Sequence, residues 1–250
     1  MSAARAALRF HCASDVGRVR SENQDAWSAD ADAGLFLVAD GMGGAAAGGV
    51  AAKAVAQLLS PRVLERIAPL QKRRAKALPK ALQETIQEFS AELRERANAD
   101  ARLNGMGATL VLALSRGRSL HVAHLGDSRA YLLEGGRLKR LTQDHSIVAV
   151  MLALGTITPE QARVHPLRHK ISRFIGMDGK AVAEASTIKP KPGARLLLCT
   201  DGLTNMLSDE EIQAALVSEA EPEGACRKLI EKANAAGGVD NVTALVADLP

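Results

Sequence analysis

The chain has 250 residues, of which 47% are hydrophobic and 24% are charged. This composition excludes disordered, collagen-like and mucin-like proteins and predicts one compact domain. Aromatic residues make up 2% of the chain, too few for a surface that stacks single-stranded nucleic acid, and the net charge of +4 favours anionic partners such as phosphorylated proteins.

The three cysteines, Cys12, Cys199 and Cys226, are odd in number and far apart, with no C-x-x-C pair. They predict neither a disulfide framework nor a thiolate zinc site, so a reducing compartment is the simpler interpretation. No apolar run has the length of a signal peptide or of a membrane span of about 20 residues. We therefore expect a cytoplasmic protein that does not insert into a membrane.

The first hundred residues predict a strand followed by two helices. Residues 35–39 form an apolar run that ends at an Asp-Gly turn, as a buried strand does. Apolar residues recur at helical spacing over 48–67 and again over 78–97. Pro61 suits the first turn of a renewed helix, and Pro69 is expected to end it.

The middle of the chain predicts consecutive strands. The runs 107–114, 120–125 and 129–133 are apolar and rich in residues that favour strands. Glycine-containing turns separate strands at 116–118 and 134–136. We therefore expect an antiparallel meander in this third of the sequence.

A different pattern begins at residue 146. Residues 146–177 combine a short apolar helix with glycine, proline and a stretch rich in His and Arg, and we interpret them as a flap. A strand follows at 195–200, helices at 209–217 and 223–236, and a last strand at 242–248. This order of elements favours an α+β layered sandwich over alternating βαβ units.

Three aspartates lie at strand edges beside turn-forming residues: Asp40, Asp201 and Asp240. Carboxylates gathered without thiolate or histidine partners suit Mg²⁺ or Mn²⁺. A shared carboxylate can hold two such ions about 3.5–4 Å apart, close enough to activate a water against a phosphoryl group. Any one Asp-Gly pair taken alone is more simply explained as turn chemistry.

Seven longer motifs favour a functional site over simple turn chemistry, because they occur together and in order. They are GRVRSENQDA at 17–26, VADGMGG at 38–44, GAT at 107–109, GDSR at 126–129, DHS at 144–146, TDG at 200–202 and DNVT at 240–243. The set resembles the metal-dependent serine/threonine phosphatases of the protein phosphatase 2C family, particularly its compact bacterial members, over about residues 10–248.

This resemblance implies an α+β fold, a four-layer α/β/β/α sandwich of two antiparallel sheets flanked by helix pairs, with a two-metal site at one end. It implies a single phosphatase domain over residues 1–250, with the flap inserted at about 146–177. The implied cofactors are two Mn²⁺ or Mg²⁺ ions, with a possible third.

By the same resemblance, Asp40 would bridge both ions and Gly41 would offer its carbonyl oxygen. Asp201 and Asp240 would complete the carboxylates of the first ion. Asp127, together with Asp201, would hold the third ion.

Arg20 would bind the substrate phosphate, for which a planar guanidinium is well shaped. Asn205 and Asn241 are candidates for hydrogen bonds to metal-bound water, although Asn205 equally suits a helix cap. Thr109 is interpreted as a β-branched strand residue.

Two positions depart from the family pattern. Gln24 stands where many relatives carry Glu, so the second ion would depend more on Asp40 and on Asp25, acting directly or through water. Met42 stands where animal relatives carry a His that resembles a general acid, and Met donates no proton. His145 is near in motif order, but a role in holding the flap explains it equally well.

Competing interpretations are weaker. Residues 41–46 match G-x-G-x-x-A, but a carboxylate beside that turn would repel a pyrophosphate. The basic run at 71–76 is typical of a solvated linker, although it suits an acidic partner. A phosphatase-like module that binds phosphoproteins with weak catalysis remains the main alternative, but it would be expected to lack the metal carboxylates.

We therefore predict a bacterial signalling enzyme that hydrolyses phosphoserine and phosphothreonine in proteins by attack of a metal-activated water. The expected partners are phosphoproteins produced by a serine/threonine kinase. We expect no nucleic-acid partner and a monomeric state.

Overall fold

Two antiparallel sheets form the centre of the structure, a computed structural model that describes residues 8–70 and 77–250. Its strands are β1 (Phe10–Asp15), β2 (Asp25–Asp30), β3 (Leu35–Met42), β4 (Gly107–Ala108), β5 (Leu110–Arg116), β6 (Ser119–Leu125), β7 (Arg129–Glu134), β8 (Arg137–Arg140), β9 (Glu184–Ile188), β10 (Arg195–Cys199) and β11 (Val242–Asp248). One sheet has the order β1-β11-β10-β7-β8. The other has the order β2-β3-β5-β6-β9, and β4 pairs with the end of β3.

Helices cover the outer faces of both sheets. The helices of the described part of the chain are α1 (Gly44–Ala54), α2 (Ser60–Ile67), α3 (Leu78–Ala99), α4 (Ile147–Ala153), α5 (Pro159–Val164), α6 (Asp201–Thr204), α7 (Asp209–Ser218) and α8 (Pro222–Ala235), and of these α4 and α5 lie in the flap and not on a sheet. A π-helical segment, Val55–Leu59, joins α1 to α2, and a short 3₁₀ turn, Ala101–Leu103, follows α3. None of the described helices is long and apolar enough to cross a membrane.

Three apolar clusters hold the layers together. One lies between α1–α3 and the β2-containing sheet, a second lies between α6–α8 and the β1-containing sheet, and a third fills the space between the sheets. Strand β11 contributes to two of them, because Ala244 and Val246 face the helices while Leu245 and Ala247 face the other sheet. Both faces of the central strands are therefore buried, and the predicted four-layer sandwich is confirmed.

The helical predictions need small adjustments. The predicted helix over 48–67 starts earlier, at Gly44, and contains the π-helical segment. Pro61 lies in the first turn of α2, directly after the π-helical segment, as its position predicts. The basic run at 71–76 lies outside the described residues.

The predicted meander is wrong in one respect. Strands β5 and β6 form a hairpin, but β7 leaves that sheet and pairs with β10 and β8 in the other one. The chain crosses between the sheets at residues 126–128, where Gly126 adopts φ +112°. A strand pattern predicts pairing periodicity but not sheet membership, because both sheets bury the same kinds of residue.

One backbone bridge closes the flap on itself, and a second joins it to the sandwich. Ser146 and Ile171 form an isolated bridge, and Ala108 and Ile175 form another. The N–H of Gly176 also donates to Ser90 Oγ on α3, at 2.9 Å. The last two contacts hold the C-terminal end of the flap at the end of the sheets where β4 lies.

Candidate metal centre

Five aspartates from both sheets converge at one end of the sandwich. Asp40 lies near the end of β3, and Asp25, the first residue of β2, is its cross-strand partner. Asp127 lies at the crossing between β6 and β7, Asp201 directly follows Thr200 at the end of β10, and Asp240 precedes β11. The pairing of β10 with β11 brings the last two ends together, because antiparallel neighbours meet end to start.

The carboxylates lie close enough to repel one another strongly. Burial and the neighbouring carboxylates raise the pKa of Asp25 to about 7 and that of Asp127 to about 8. The same two causes hold the pKa of Asp40 well above its usual range, and they also raise the pKa of Asp201. Without a cation, part of this cluster is therefore protonated near neutral pH.

Two buried oxygens in the cluster have no hydrogen-bond partner. They are Asp25 Oδ1 and Asp201 Oδ1. Buried carboxylate oxygens are rarely left unpaired, because such an atom loses the hydration that it has in the unfolded chain. An oxygen-only donor set with unpaired lone pairs fits hard divalent cations such as Mg²⁺ or Mn²⁺. The residues present therefore fit the predicted metal centre.

Asp25 is oriented by two threonines that the sequence did not single out. Thr200 Oγ1 and Thr243 Oγ1 both donate to Asp25 Oδ2, at 2.9 and 2.7 Å. Thr243 N–H in turn donates to Thr200 Oγ1 at 3.0 Å. Both hydroxyl groups bond to Oδ2, so Oδ1 is the unpartnered oxygen of Asp25. The TDG and DNVT strings contained these residues, but nothing in their spacing showed that they share one partner.

Thr109 lies in the break between β4 and β5 and not within a strand, and it has a larger role than the sequence predicted. Its hydroxyl accepts the Asp40 N–H at 3.0 Å, and its own N–H donates to the Asp40 carbonyl at 2.8 Å. A second bond of 2.6 Å joins Thr109 Oγ1 to Ser128 Oγ, next to Asp127. Thr109 thus fixes the backbone of Asp40 and ties it to the loop of Asp127.

Position 41 has no room for a side chain. A methyl group there would lie 2.1 Å from the carbonyl oxygen of Gly48 on α1. The Gly41 N–H donates to the Gln24 carbonyl at 3.2 Å, so β3, α1 and the loop before β2 are in tight contact at this point. This packing brings Gln24 beside the proposed Gly41 ligand.

Arg20 lies at the rim of the cluster. Its Nη2 donates to Asp240 Oδ2 at 2.8 Å, and 57% of its side chain is exposed. The partial exposure leaves the guanidinium accessible to an incoming ligand, while the ion pair keeps it beside the carboxylates.

The two asparagines make contacts that differ from each other. Asn241 accepts the Gln24 N–H and donates to the carbonyls of Val16 and Glu22, so its amide organises the loop that carries Arg20. Asn205 lies at the C-terminal end of α6, and its Nδ2 donates to Asp201 Oδ2 at 2.9 Å. Asn205 therefore orients a carboxylate of the cluster.

His145 and Met42 lie at different edges of the site. Met42 ends β3 and pairs with Gly107, and its thioether holds no transferable proton. His145 is buried and contacts Gly126, the residue before Asp127. The sequence did not single out His169 of the flap, whose charge lowers the pKa of Asp201. It is a flap residue within electrostatic reach of the cluster.

We expect the EDTA-treated protein to be more stable at pH 6.5 than at pH 8.5. An unfolded Asp has a pKa near 3.9, whereas Asp25 and Asp127 titrate near 7 and 8 in the folded chain. Across this window the folded state binds more protons than the unfolded state, so the free energy of unfolding falls as the pH rises. Thermal unfolding followed by circular dichroism measures the difference.

Saturating Mn²⁺ is expected to weaken or reverse this trend, because the cation binds the deprotonated carboxylates. A metal-free protein whose Tm is equal at both pH values, or higher at pH 8.5, would contradict the raised pKa values.

Comparison with known proteins identifies the same family that the sequence motifs resemble. The Protein phosphatase 2C family model matches residues 17–231. The serine/threonine phosphatase stp of Listeria innocua is 37% identical over 243 residues, which cover 94% of this chain and 93% of the relative. The sequence resemblance to this family is thereby confirmed.

Solved structures extend the similarity to the fold. Stp1 of Staphylococcus aureus has a TM-score of 0.87 and 33% identity, covering 97% of this chain and 95% of its own. The catalytic domain of the serine threonine protein phosphatase PstP in complex with two manganese ions has a TM-score of 0.82 and 35% identity. The match covers 97% of this chain and 98% of that domain.

Proposed function

The chain belongs to the protein phosphatase 2C family and is a serine/threonine protein phosphatase, and from this premise we propose that the five converging aspartates form its active centre. The observation that carries the proposal is the pair of buried, unpartnered oxygens, Asp25 Oδ1 and Asp201 Oδ1. They belong to a cluster whose carboxyl pKa values are raised by burial and mutual repulsion. A cluster of this kind is suited to divalent cations and costs stability without them.

The ions would be Mn²⁺ or Mg²⁺, two with a possible third. The PstP catalytic domain, which holds two manganese ions, supports this choice. When bound, the ions would activate a water for attack on phosphorus and neutralise charge on the phosphoryl oxygens. The proposed ligands, grouped as carboxylates and one backbone carbonyl, are Asp25, Asp40, Asp127, Asp201, Asp240 and Gly41.

The chain's own residues orient the reaction. We propose that Arg20 binds the phosphate of phosphoserine or phosphothreonine through its exposed guanidinium, a group whose fork matches phosphate oxygens. Its ion pair with Asp240 aligns the guanidinium beside the carboxylates. Thr109, Asn205 and Thr243 keep the carboxylates in place, so that the bound phosphate meets a fixed arrangement.

The finer biological setting is also proposed. Homologues named serine/threonine phosphatases support phosphoproteins as substrates, and we propose that a serine/threonine kinase produces them. We further propose a single domain over residues 1–250 with a flap at about 146–177, acting as a monomer in the cytoplasm. The three free thiols, Cys12, Cys199 and Cys226, support a reducing compartment.

The test is phosphate release from a phosphothreonine peptide and from p-nitrophenyl phosphate in Mn²⁺, Mg²⁺ or EDTA. We expect turnover with Mn²⁺ or Mg²⁺ and none in EDTA. A folded protein that binds Mn²⁺ in a calorimetric titration but releases no phosphate would instead support the phosphoprotein-binding alternative. In that case Gln24 and Met42 would be the first positions to examine.

A further inference from the structure

His145 holds the residue that precedes Asp127 by two hydrogen bonds. Its backbone N–H donates to the Gly126 carbonyl at 2.9 Å, and the Gly126 N–H donates to His145 Nδ1 at 3.2 Å. We propose that His145 is a positioning residue that fixes Asp127 in the metal centre, and that Glu184 on β9 keeps the ring in the required tautomer. This inference rests on the proposed function, because it concerns the geometry of that same centre.

The hydrogen bonds define the tautomer of His145. A backbone N–H only donates, so Nδ1 is the acceptor and the ring proton of the neutral ring lies on Nε2. Nε2 faces Glu184 Oε1 at 3.1 Å, which accepts that proton's hydrogen bond. The Arg173 guanidinium lies farther from Nε2, at 3.5 Å, than from the Glu184 carboxylate, so the carboxylate is the closer partner of both groups. Arg173 of the flap lies 3.3 Å from the same carboxylate oxygen. The carboxylate thus connects the ring to an edge strand and to the flap.

Gly126 is confined from its other side by Thr109. It adopts φ +112°, and a methyl group there would lie 2.8 Å from two side-chain carbons of Thr109. Thr109 also holds the backbone of Asp40. The backbone before Asp127 therefore lies between two buried side chains, His145 and Thr109, and the same contacts set the position of Asp127 relative to Asp40.

The geometry favours this hydrogen-bonding role over a second metal site. One ligand atom from each of His124, His145 and Glu184 lies within 4.8 Å of the others, a spacing that an ion could share. However, the two rings are stacked with centroids 4.6 Å apart and planes 13° apart. Imidazole lone pairs lie in the ring plane, so nearly parallel stacked rings do not direct them at one ion about 2.1 Å from each nitrogen.

Hydrogen bonds also occupy one nitrogen of each ring. His124 Nε2 lies 2.7 Å from the Gln143 carbonyl, which only accepts, and His145 Nδ1 takes the Gly126 N–H. Burial lowers the pKa of both histidines, and the charge of His124 would lower that of His145 further. Both rings are therefore neutral near pH 7, the state in which Nδ1 of His145 can accept.

Two substitutions separate positioning from other roles. The side-chain oxygen of His145→Asn stands near the place of Nδ1 and can accept the Gly126 N–H, whereas the longer amide of His145→Gln reaches towards the place of Nε2. We expect the Asn variant to keep turnover and Mn²⁺ affinity within about threefold of the unmodified protein. We expect the Gln variant to lose about 10–100-fold in one or both, the range for a residue that orients a metal ligand.

Mn²⁺ affinity is measured by calorimetric titration, and folding by thermal unfolding. If His145 served only as packing, Gln, which is closer to His in volume, would be the milder change. If it transferred a proton, both variants would lose turnover equally while keeping Mn²⁺ affinity. Either pattern would overturn the proposal.

A measurement on the unmodified protein tests the proposal even where a variant fails to fold. Long-range ¹⁵N–¹H correlation spectra of the unmodified, metal-free protein at pH 7.5 report which ring nitrogen carries the proton. We expect an unprotonated Nδ1 and a protonated Nε2 on His145, and the opposite tautomer would refute the inference. Failure of Mn²⁺-dependent turnover in the unmodified protein would refute the proposed function instead, while the tautomer and the Mn²⁺ affinities would still decide the role of His145.

Discussion

Replacing Asp40 or Asp201 by Asn is expected to lower phosphate release by about 1000-fold or more, because each substitution removes a charged oxygen from the proposed metal centre that would stabilise the transition state. The same substitutions are expected to raise the Tm of the EDTA-treated protein. Asn has nearly the shape of Asp without its charge, so it relieves the repulsion that raises the pKa of both carboxyls. Loss of activity together with gain of metal-free stability is the signature of a functional charge cluster.

The matched control is Asp32→Asn, an exposed position in the β2–β3 turn. We expect this variant to change neither turnover nor Tm appreciably. Phosphate release is measured with saturating Mn²⁺, and unfolding is measured in EDTA. An Asp40→Asn variant that keeps its turnover would exclude Asp40 from the centre, and one that loses Tm in EDTA would indicate that its carboxylate stabilises the fold rather than strains it.

The second large effect, a loss of stability and of turnover, is expected at Gly48 of α1. Its neighbour Gly49 has different surroundings and provides the control. A methyl group on Gly48 would lie 2.8 Å from the carbonyl carbon and oxygen of Gly41, a proposed ligand. We expect Gly48→Ala to destabilise the fold by about 2–3 kcal/mol, in the range of overpacked sites. It should also reduce turnover, because the backbone that must shift belongs to Gly41, a proposed ligand of the metal centre.

Gly49→Ala is the control for helix propensity. A methyl group there would lie 3.9 Å from Gln24 atoms, an ordinary van der Waals contact. Ala is favoured over Gly inside a helix, so we expect this variant to be stabilised by up to about 1 kcal/mol with turnover unchanged. Thermal unfolding with Mn²⁺ present and phosphate release decide the comparison. Equal effects of the two substitutions would show that α1 does not press on β3 as the structure indicates.

The candidate site illustrates what ordered motifs predict and what they omit. The strings around Asp40, Asp201 and Asp240 predicted a carboxylate centre, because turn residues after or before a strand deliver side chains to the end of a sheet. They did not reveal that Thr200 and Thr243 share Asp25, or that His145 holds Gly126. These partners are between 19 and 218 residues apart in the chain, and local patterns carry no information about such pairs.

The sequence by itself determined the central strands, the long helices and the family to which the chain belongs. The strands without a separate prediction, β1, β2, β8 and β9, are the edges of the two sheets. Edge strands carry polar and half-exposed residues, so their hydrophobic signal is weak, as in the EASTI sequence of β9.

Only the tertiary structure decided which sheet each strand joins. Strand β7 has the same apolar character as β5 and β6, yet it lies in the other sheet because the chain crosses at Gly126. Burial on both faces makes the strands alike in composition, and pairing between distant segments then selects their partners. That crossing also places Asp127 beside carboxylates from the other strands. The proposed metal centre therefore depends on the fold, because no single motif contains all of its residues.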